Sequence, residues 1–184
     1  MAEAVKFRIA LAAGLLTLAG CGSGGPAAPA TEFNQTDVMF LQMMIPHHQQ
    51  GIDIARLAKE HKLRPEIQVL ANAIDVTQVN EVADMKAWLE GWAQPQTAGA
   101  APEIHAHHGG TRLTPPDEVA ELKAAKPEEF EKLFVNILTA HQHNAVELAQ
   151  TEVAGGAAFK TKDLANRIVQ SRTGEIKQLL GFLG

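Results

Sequence analysis

The stretch FLQMMIPHHQQGIDIARLA, Phe40–Ala58, carries the pattern that decides the fold. Every third or fourth residue in it is apolar or small, with one histidine among them, and this is the spacing of a buried helix face. That face comprises Phe40, Met44, His47, Gly51, Ile54 and Ala58. The stretch therefore predicts a long amphipathic helix with an imidazole in its buried face.

The same pattern recurs later in the chain at a fixed offset. When the sequence is shifted by 94 residues without gaps, Phe40 falls on Phe134, His47 on His141, Glu81 on Glu175 and Leu89 on Leu183. Alanine and leucine are frequent and runs of β-branched residues are rare, so helix is favoured over sheet. The repeat predicts an all-α fold, a four-helix bundle made of two repeated helical hairpins.

The N-terminal residues have the features of an export signal. Lys6 and Arg8 precede a short apolar run, and LAGC, Leu18–Cys21, resembles a bacterial lipobox. We expect residues 1–20 to be a lipoprotein signal peptide, and Cys21, the one cysteine, to carry a lipid on the extracytoplasmic side of a bacterial membrane. A plain secretory signal followed by a chance cysteine is the alternative.

The remaining chain divides at proline and glycine signals. Residues 21–34 predict a flexible tether and 35–184 the helical bundle, with repeat one at about 35–93, a His-rich linker at 94–113 and repeat two at about 114–184. Thr114 is the expected N-cap of the first helix of repeat two. The formal net charge of -5 argues against nucleic acid as a partner. Without a nucleophile motif or a phosphate-binding loop, an enzyme is the less favoured class.

Polar residues interrupt the predicted buried faces at matching positions. His47, Gln78 and Glu81 do so in the first repeat, and His141, Arg172 and Glu175 in the second. Buried polar groups are costly unless they have partners, which are one another, a metal ion or a substrate. An Arg172–Glu175–His141 network without metal is one alternative.

Soft and imidazole ligands concentrate on the first helix. Met43, Met44, His47 and His48 are related by i,i+3 and i,i+4 spacing, and Met85 lies one turn beyond Glu81. Thioether together with imidazole suits copper, as Cu(I) or Cu(II), with zinc or iron as alternatives. The candidate metal ligands are Met43, Met44, His47, His48, Glu81, Met85, His141 and Glu175. The other reading makes the methionines core filler and His47 a hydrogen-bonded core histidine.

Further histidines lie outside this set. His105, His107 and His108 belong to the linker segment IHAHHGG and predict either a weak metal site or a solvated loop. His143 either joins His141 or faces solvent.

Three segments of the chain resemble the domain of unknown function 305 family. They are FLQMMIPHHQQGIDIARLA, EVADMKAWL and LTPPDEVAELKAAKPEEFEKLFVNILTAHQHNAVELA. The resemblance implies an exported, ferritin-like helical bundle, and some members are associated with copper binding and copper tolerance. It points to Met44, His47, His48, Glu81 and Met85. This chain has Ile54 where a methionine is common, and its second repeat lacks the Met and His-His of many members.

These observations lead to one main hypothesis and two alternatives. We expect a lipid-anchored protein of the cell envelope that buffers copper or transfers it for metal tolerance, to a delivery protein that the sequence does not identify. The alternatives are a ferritin-like metal-dependent oxidoreductase and a structural or interaction lipoprotein without metal.

Overall fold

A computed structural model describes residues 32–97 and 112–184. These residues form five α-helices and contain no β-strand. The helices are α1 (Gln35–Leu57), α2 (Pro65–Gly91), α3 (Pro116–Ala124), α4 (Pro127–Gly155) and α5 (Phe159–Gly181), and a short 3₁₀ turn, Ala58–Glu60, follows α1. The prediction of an all-α fold is confirmed. Cys21 and the predicted signal peptide lie outside the described residues.

The four long helices pack mainly as neighbours in antiparallel pairs. Helix α1 packs against α2, and α4 packs against α5, while α1 and α4 join the two pairs. The Asn34 side chain at the start of α1 donates a hydrogen bond of 2.8 Å to the carbonyl of Gly155 at the end of α4. Helices α1 and α4 therefore run in opposite directions.

The apolar core is divided into two clusters. One contains Phe40 near the start of α1 and Leu89 near the end of α2, and the other contains Ala58 after α1 and Ile67 near the start of α2. The polar side chains near the middle of the long helices belong to neither cluster. We call this set the polar layer: His47, His48, Gln78, Glu81, His141, Gln142, Arg172 and Glu175.

The helix ends follow local sequence, with one correction. A capping box at Asn34 begins α1, in which the Asn34 side chain accepts from the Asp37 N–H and the Asp37 carboxylate accepts from the Asn34 N–H. The expected N-cap at Thr114 is wrong, because α3 begins at Pro116 and no side chain caps it. Thr114 is instead buried against α4. Pro46 lies inside α1, and the helix continues through it. None of the described helices is long and apolar enough to span a membrane.

Candidate functional site: a buried polar layer

Two histidines from different helices stack at the centre of the polar layer. The His47 ring on α1 and the His141 ring on α4 have centroids 3.9 Å apart and an interplanar angle of 21°. Gly51 makes room for them, since a Cβ at this position would come within 2.8 Å of His141 Nε2 and would collide with the Gln78 amide. A glycine on the buried face of α1 thus allows α1, α2 and α4 to bring polar side chains together.

His48 and His141 each have one ring nitrogen in a hydrogen bond with a side chain. His48 Nε2 lies 2.8 Å from Glu81 Oε2, and His141 Nδ1 lies 3.0 Å from Thr114 Oγ1. Within residues 32–97 and 112–184, His48 Nδ1, His141 Nε2 and both nitrogens of His47 have no hydrogen-bond partner. Four buried ring nitrogens are therefore available in one region of the core.

Burial keeps these imidazoles neutral. Desolvation lowers the pKa of His47 well below its usual value, and the neighbouring His141 lowers it further. Desolvation also lowers the pKa of His141 to about 3. The pKa of His48 is lowered by burial too, although the hydrogen bond with Glu81 offsets part of the effect. Neutral imidazole is the form that binds a metal ion.

Arg172 is the positive charge of the layer, and its side chain is fully buried. Its guanidinium donates to Glu81 Oε2 at 2.5 Å and to Glu175 Oε1 at 3.2 Å. Burial raises the pKa of Glu81, but the hydrogen bond from His48 and the charge of Arg172 outweigh it, so the pKa lies below its usual value. Burial raises the pKa of Glu175, and Arg172 only partly offsets this. The dominant ion pair of the layer is therefore Arg172–Glu81.

A second hydrogen bond corresponds to that of His48 with Glu81. The Gln142 amide donates to Glu175 Oε2, and both residues come 94 positions after the members of the first pair (142 − 48 = 94 and 175 − 81 = 94). Sequence reasoning missed Gln142, although the same shift that matched His47 with His141 places it opposite His48. It also missed Thr114 as the partner of His141, and no motif signals that contact.

The candidate methionines lie in the apolar core rather than in the polar layer. Met43, Met44 and Met85 are buried in the apolar cluster that contains Phe40. Met44 remains one helical turn from His47 on the same face of α1. The structure thus brings His47, His48, Glu81, His141 and Glu175 into one layer and packs the thioethers beside it.

The remaining candidates are not part of the layer. His143 is exposed on α4, and His105, His107 and His108 lie outside the described residues. In the part of the chain that the structure describes, no group of three or more His, Cys, Asp or Glu side chains has the arrangement of a metal site. Methionine is not among those residue types, so a centre of two imidazoles and a thioether is a separate case.

A family model described as domain of unknown function, DUF305, matches residues 37–183. The chain belongs to the DUF305 family. Among solved structures, this DUF305 chain is 29% identical to a DUF305 fragment from Deinococcus radiodurans, with a TM-score of 0.70 and coverage of 82% of this chain and 97% of that one. It is 25% identical to a DUF305 protein from Streptomyces coelicolor that is provisionally described as secreted, with a TM-score of 0.74 and coverage of 80% and 91%.

The DUF305 chain is also similar to CopM, which has been solved in a Cu(I)-bound form. The identity is 27% and the TM-score 0.64, and the alignment covers 81% of this chain and 96% of CopM. CopM has been solved in a Cu(II)-bound form as well. No curated protein sequence matches the chain significantly.

Proposed function

We propose that this chain is a lipid-anchored, extracytoplasmic copper-binding protein that buffers copper or passes it on. The observation that carries the proposal is that the two ring nitrogens of His48, and likewise those of His141, differ in their hydrogen bonding. In each, one ring nitrogen is held by a side chain, and the other has no partner among the described residues. Histidines that bind metals are usually held in this way. One ring nitrogen binds the ion, and the hydrogen bond at the other nitrogen fixes the orientation and tautomer of the ring.

The donor chemistry fits copper better than a hard cation. Two of the three neutral imidazoles of His47, His48 and His141 would bind the ion, and Met44, one turn from His47, would supply a thioether. Imidazole and thioether suit copper, and a thioether favours Cu(I), whereas magnesium and calcium prefer oxygen ligands. The similarity to CopM, solved with Cu(I) and with Cu(II), supports the same metal. Zinc and iron are the alternative ions.

The layer would have to rearrange when it binds the ion. Imidazole lone pairs lie in the plane of the ring, and the planes of His47 and His141 are nearly parallel, so these lone pairs do not converge on one point. Rotation of a ring would therefore accompany binding. Glu81 would act by holding His48 Nε2, and Glu175 by holding Gln142, while Arg172 pairs with both carboxylates.

The proposal includes the finer architecture. We propose that the four long helices form a ferritin-like four-helix bundle of two repeated hairpins, α1 with α2 and α4 with α5. The antiparallel packing and the corresponding pairs His48–Glu81 and Gln142–Glu175 support it. Residues 21–34 would tether this bundle to a lipid on Cys21. Membrane association of a Cys21→Ala variant, measured by fractionation, tests the anchor, and unchanged association would exclude it.

A second candidate function has one observation in its favour. The Arg172 guanidinium already forms ion pairs with both Glu81 and Glu175, so the layer contains an ion-pair network without any metal. A structural or interaction lipoprotein would need nothing more.

Copper titration of the purified protein followed by native mass spectrometry separates the two functions. Under reducing conditions for Cu(I), and separately for Cu(II), we expect a defined stoichiometry and an increase in thermal stability, because the ligand binds only the folded state. Absence of bound copper in both titrations would leave the structural function.

A further inference from the structure

We propose that Arg172 determines the metal specificity of the polar layer. Its guanidinium occupies the place between Glu81 and Glu175 where a divalent cation with carboxylate ligands would bind, and it keeps such cations out. The proposal deepens the proposed function by adding selectivity, and rests on it only for the presence of copper at the imidazoles.

The contacts of Arg172 are those expected of a cation at the centre of an anionic site. One terminal nitrogen donates to Glu81 Oε2 at 2.5 Å and lies 3.5 Å from His48 Nε2. The other donates to Glu175 Oε1 at 3.2 Å. Carboxylate and imidazole groups from α1, α2 and α5 thus surround one fixed positive charge. Carboxylate and imidazole are ligand types that zinc, cobalt and iron bind in proteins, but with Arg172 between them these side chains do not have the arrangement of a metal site.

The charge balance explains why the guanidinium excludes a second cation. A guanidinium is always protonated, so its single charge cannot be removed by proton loss. A divalent ion entering the space between Glu81 and Glu175 would have to displace this buried charge or sit in contact with it, where low dielectric screening makes repulsion strong. Replacing Arg172 by a neutral residue would leave two carboxylates facing each other without a counter-charge, which is the condition that favours a divalent ion.

The structure also provides a neutral reference and a route of entry. Gln78 precedes Arg172 by 94 residues (172 − 78 = 94), so glutamine is the residue that the first hairpin has at this place.

Glu175, whose side chain is 14% exposed, lines a surface groove between α2 and α5 together with Val69, Ala73 and Gly174. An ion could reach Glu175 through this groove.

The test is an Arg172→Gln variant titrated with Co(II), whose visible absorption reports coordination. We expect the variant to bind one Co(II) more than the wild-type protein, with at least tenfold higher affinity than any Co(II) site of the wild type. Arg172→Lys is the matched control and should gain no ion, because it keeps the charge. Adding Glu81→Gln to Arg172→Gln should remove the gained ion.

A folded Arg172→Gln variant that gains no Co(II) would overturn the proposal, and so would an equal gain in Arg172→Lys. If Arg172→Gln does not fold without metal, refolding in Co(II) decides: recovery of helical circular dichroism supports the proposal, and no recovery overturns it. Copper titration of the wild-type protein is read separately. Failure of that titration alone would refute the proposed copper site and leave the role of Arg172 intact.

Discussion

The imidazole rings of His47 and His141 stack across the interface of α1 and α4, with their centroids 3.9 Å apart. Burial lowers the pKa of both histidines, so both rings are neutral at physiological pH and do not repel each other as cations. The contact also requires that α1 present no side chain at Gly51, where a Cβ would approach His141 Nε2 to 2.8 Å. The stack therefore depends on one glycine on the neighbouring turn.

Substituting Gly51 by alanine should destabilise the protein even though alanine is the better helix former. The added methyl group would displace Gln78 and His141, and overpacking of this kind costs about 1–3 kcal/mol. Gly174→Ala is the matched control, since it lies inside α5 with nothing within 4 Å of the new Cβ. It should stabilise the fold by about 0.5–1 kcal/mol. Urea unfolding measures both, and equal effects would contradict the packing argument.

The hydrogen bond between Gln142 and Glu175 indicates which substitution of His48 the fold should tolerate. Gln142 donates to Glu175 as His48 does to Glu81, so His48→Gln should retain a hydrogen bond to Glu81 and cost about 1 kcal/mol or less. His48→Ala should cost about 3 kcal/mol, because it leaves a cavity and removes a partner of a buried carboxylate. Thermal unfolding of the two variants checks this order. A larger loss for glutamine than for alanine would be incompatible with the correspondence of the two pairs.

The repeat shows how much of the site the sequence contains. The 94-residue shift that matches His47 with His141 and Glu81 with Glu175 predicts which helical positions share a layer, because equivalent positions of two repeated hairpins would lie at equivalent depths. It does not predict which of these groups pair. The sequence predicts Arg172 in a network with Glu175 and His141 of the same repeat, whereas the structure brings it closer to Glu81 on α2, at 2.5 Å, than to Glu175, at 3.2 Å.

Contacts between distant segments without an equivalent in the repeat could not be predicted. Thr114 resembles a helix cap because it precedes two prolines, yet its hydroxyl lies against His141. Glu152 and Asp37 are 115 residues apart (152 − 37 = 115), and no periodicity links them. They meet only because the start of α1 packs against the end of α4.

The burial of Glu152 near Asp37, with no hydrogen-bond partner for its carboxyl oxygens among the described residues, makes stability depend on pH. Asp37 accepts hydrogen bonds from the backbone N–H groups of Ala157 and Ala158 and from the Thr161 hydroxyl. These contacts outweigh burial and lower its pKa. Burial raises the pKa of Glu152 to about 8, and the nearby Asp37 contributes to the shift. Folded Glu152 therefore keeps its proton at neutral pH, whereas in the unfolded chain it loses the proton near its usual pKa of 4.5.

The Glu152→Gln variant should lack this pH dependence. Below pH 4.5 Glu152 is protonated in both the folded and the unfolded state, so its titration does not change the free energy of unfolding. Between pH 4.5 and about 8 only the folded state holds the proton. Wild-type stability should therefore fall as pH rises through this range, by at most about 1.4 kcal/mol per pH unit from this group. Urea unfolding of both proteins at several pH values measures the difference, which should grow until about pH 8. The exposed Glu129→Gln is the control, and parallel wild-type and Glu152→Gln curves would rule out the protonated carboxyl.

The last prediction concerns the histidines that would hold copper. A His47→Ala, His48→Ala double variant removes three of the four buried ring nitrogens that have no partner within residues 32–97 and 112–184. Copper affinity should fall by tenfold or more, since loss of an imidazole ligand leaves the ion with fewer donors in a region that excludes water. His143→Ala changes an exposed imidazole two residues after His141 on α4 and should leave copper affinity unchanged.

The linker provides the decisive comparison for this prediction. A triple variant with His105, His107 and His108 changed to alanine should keep the tight copper site and lose only weak binding. Circular dichroism and thermal unfolding of the double variant separate loss of ligands from loss of fold. If the triple variant loses all binding while the folded double variant retains it, copper binds the linker, and the stacked histidines serve the packing of α1 against α4.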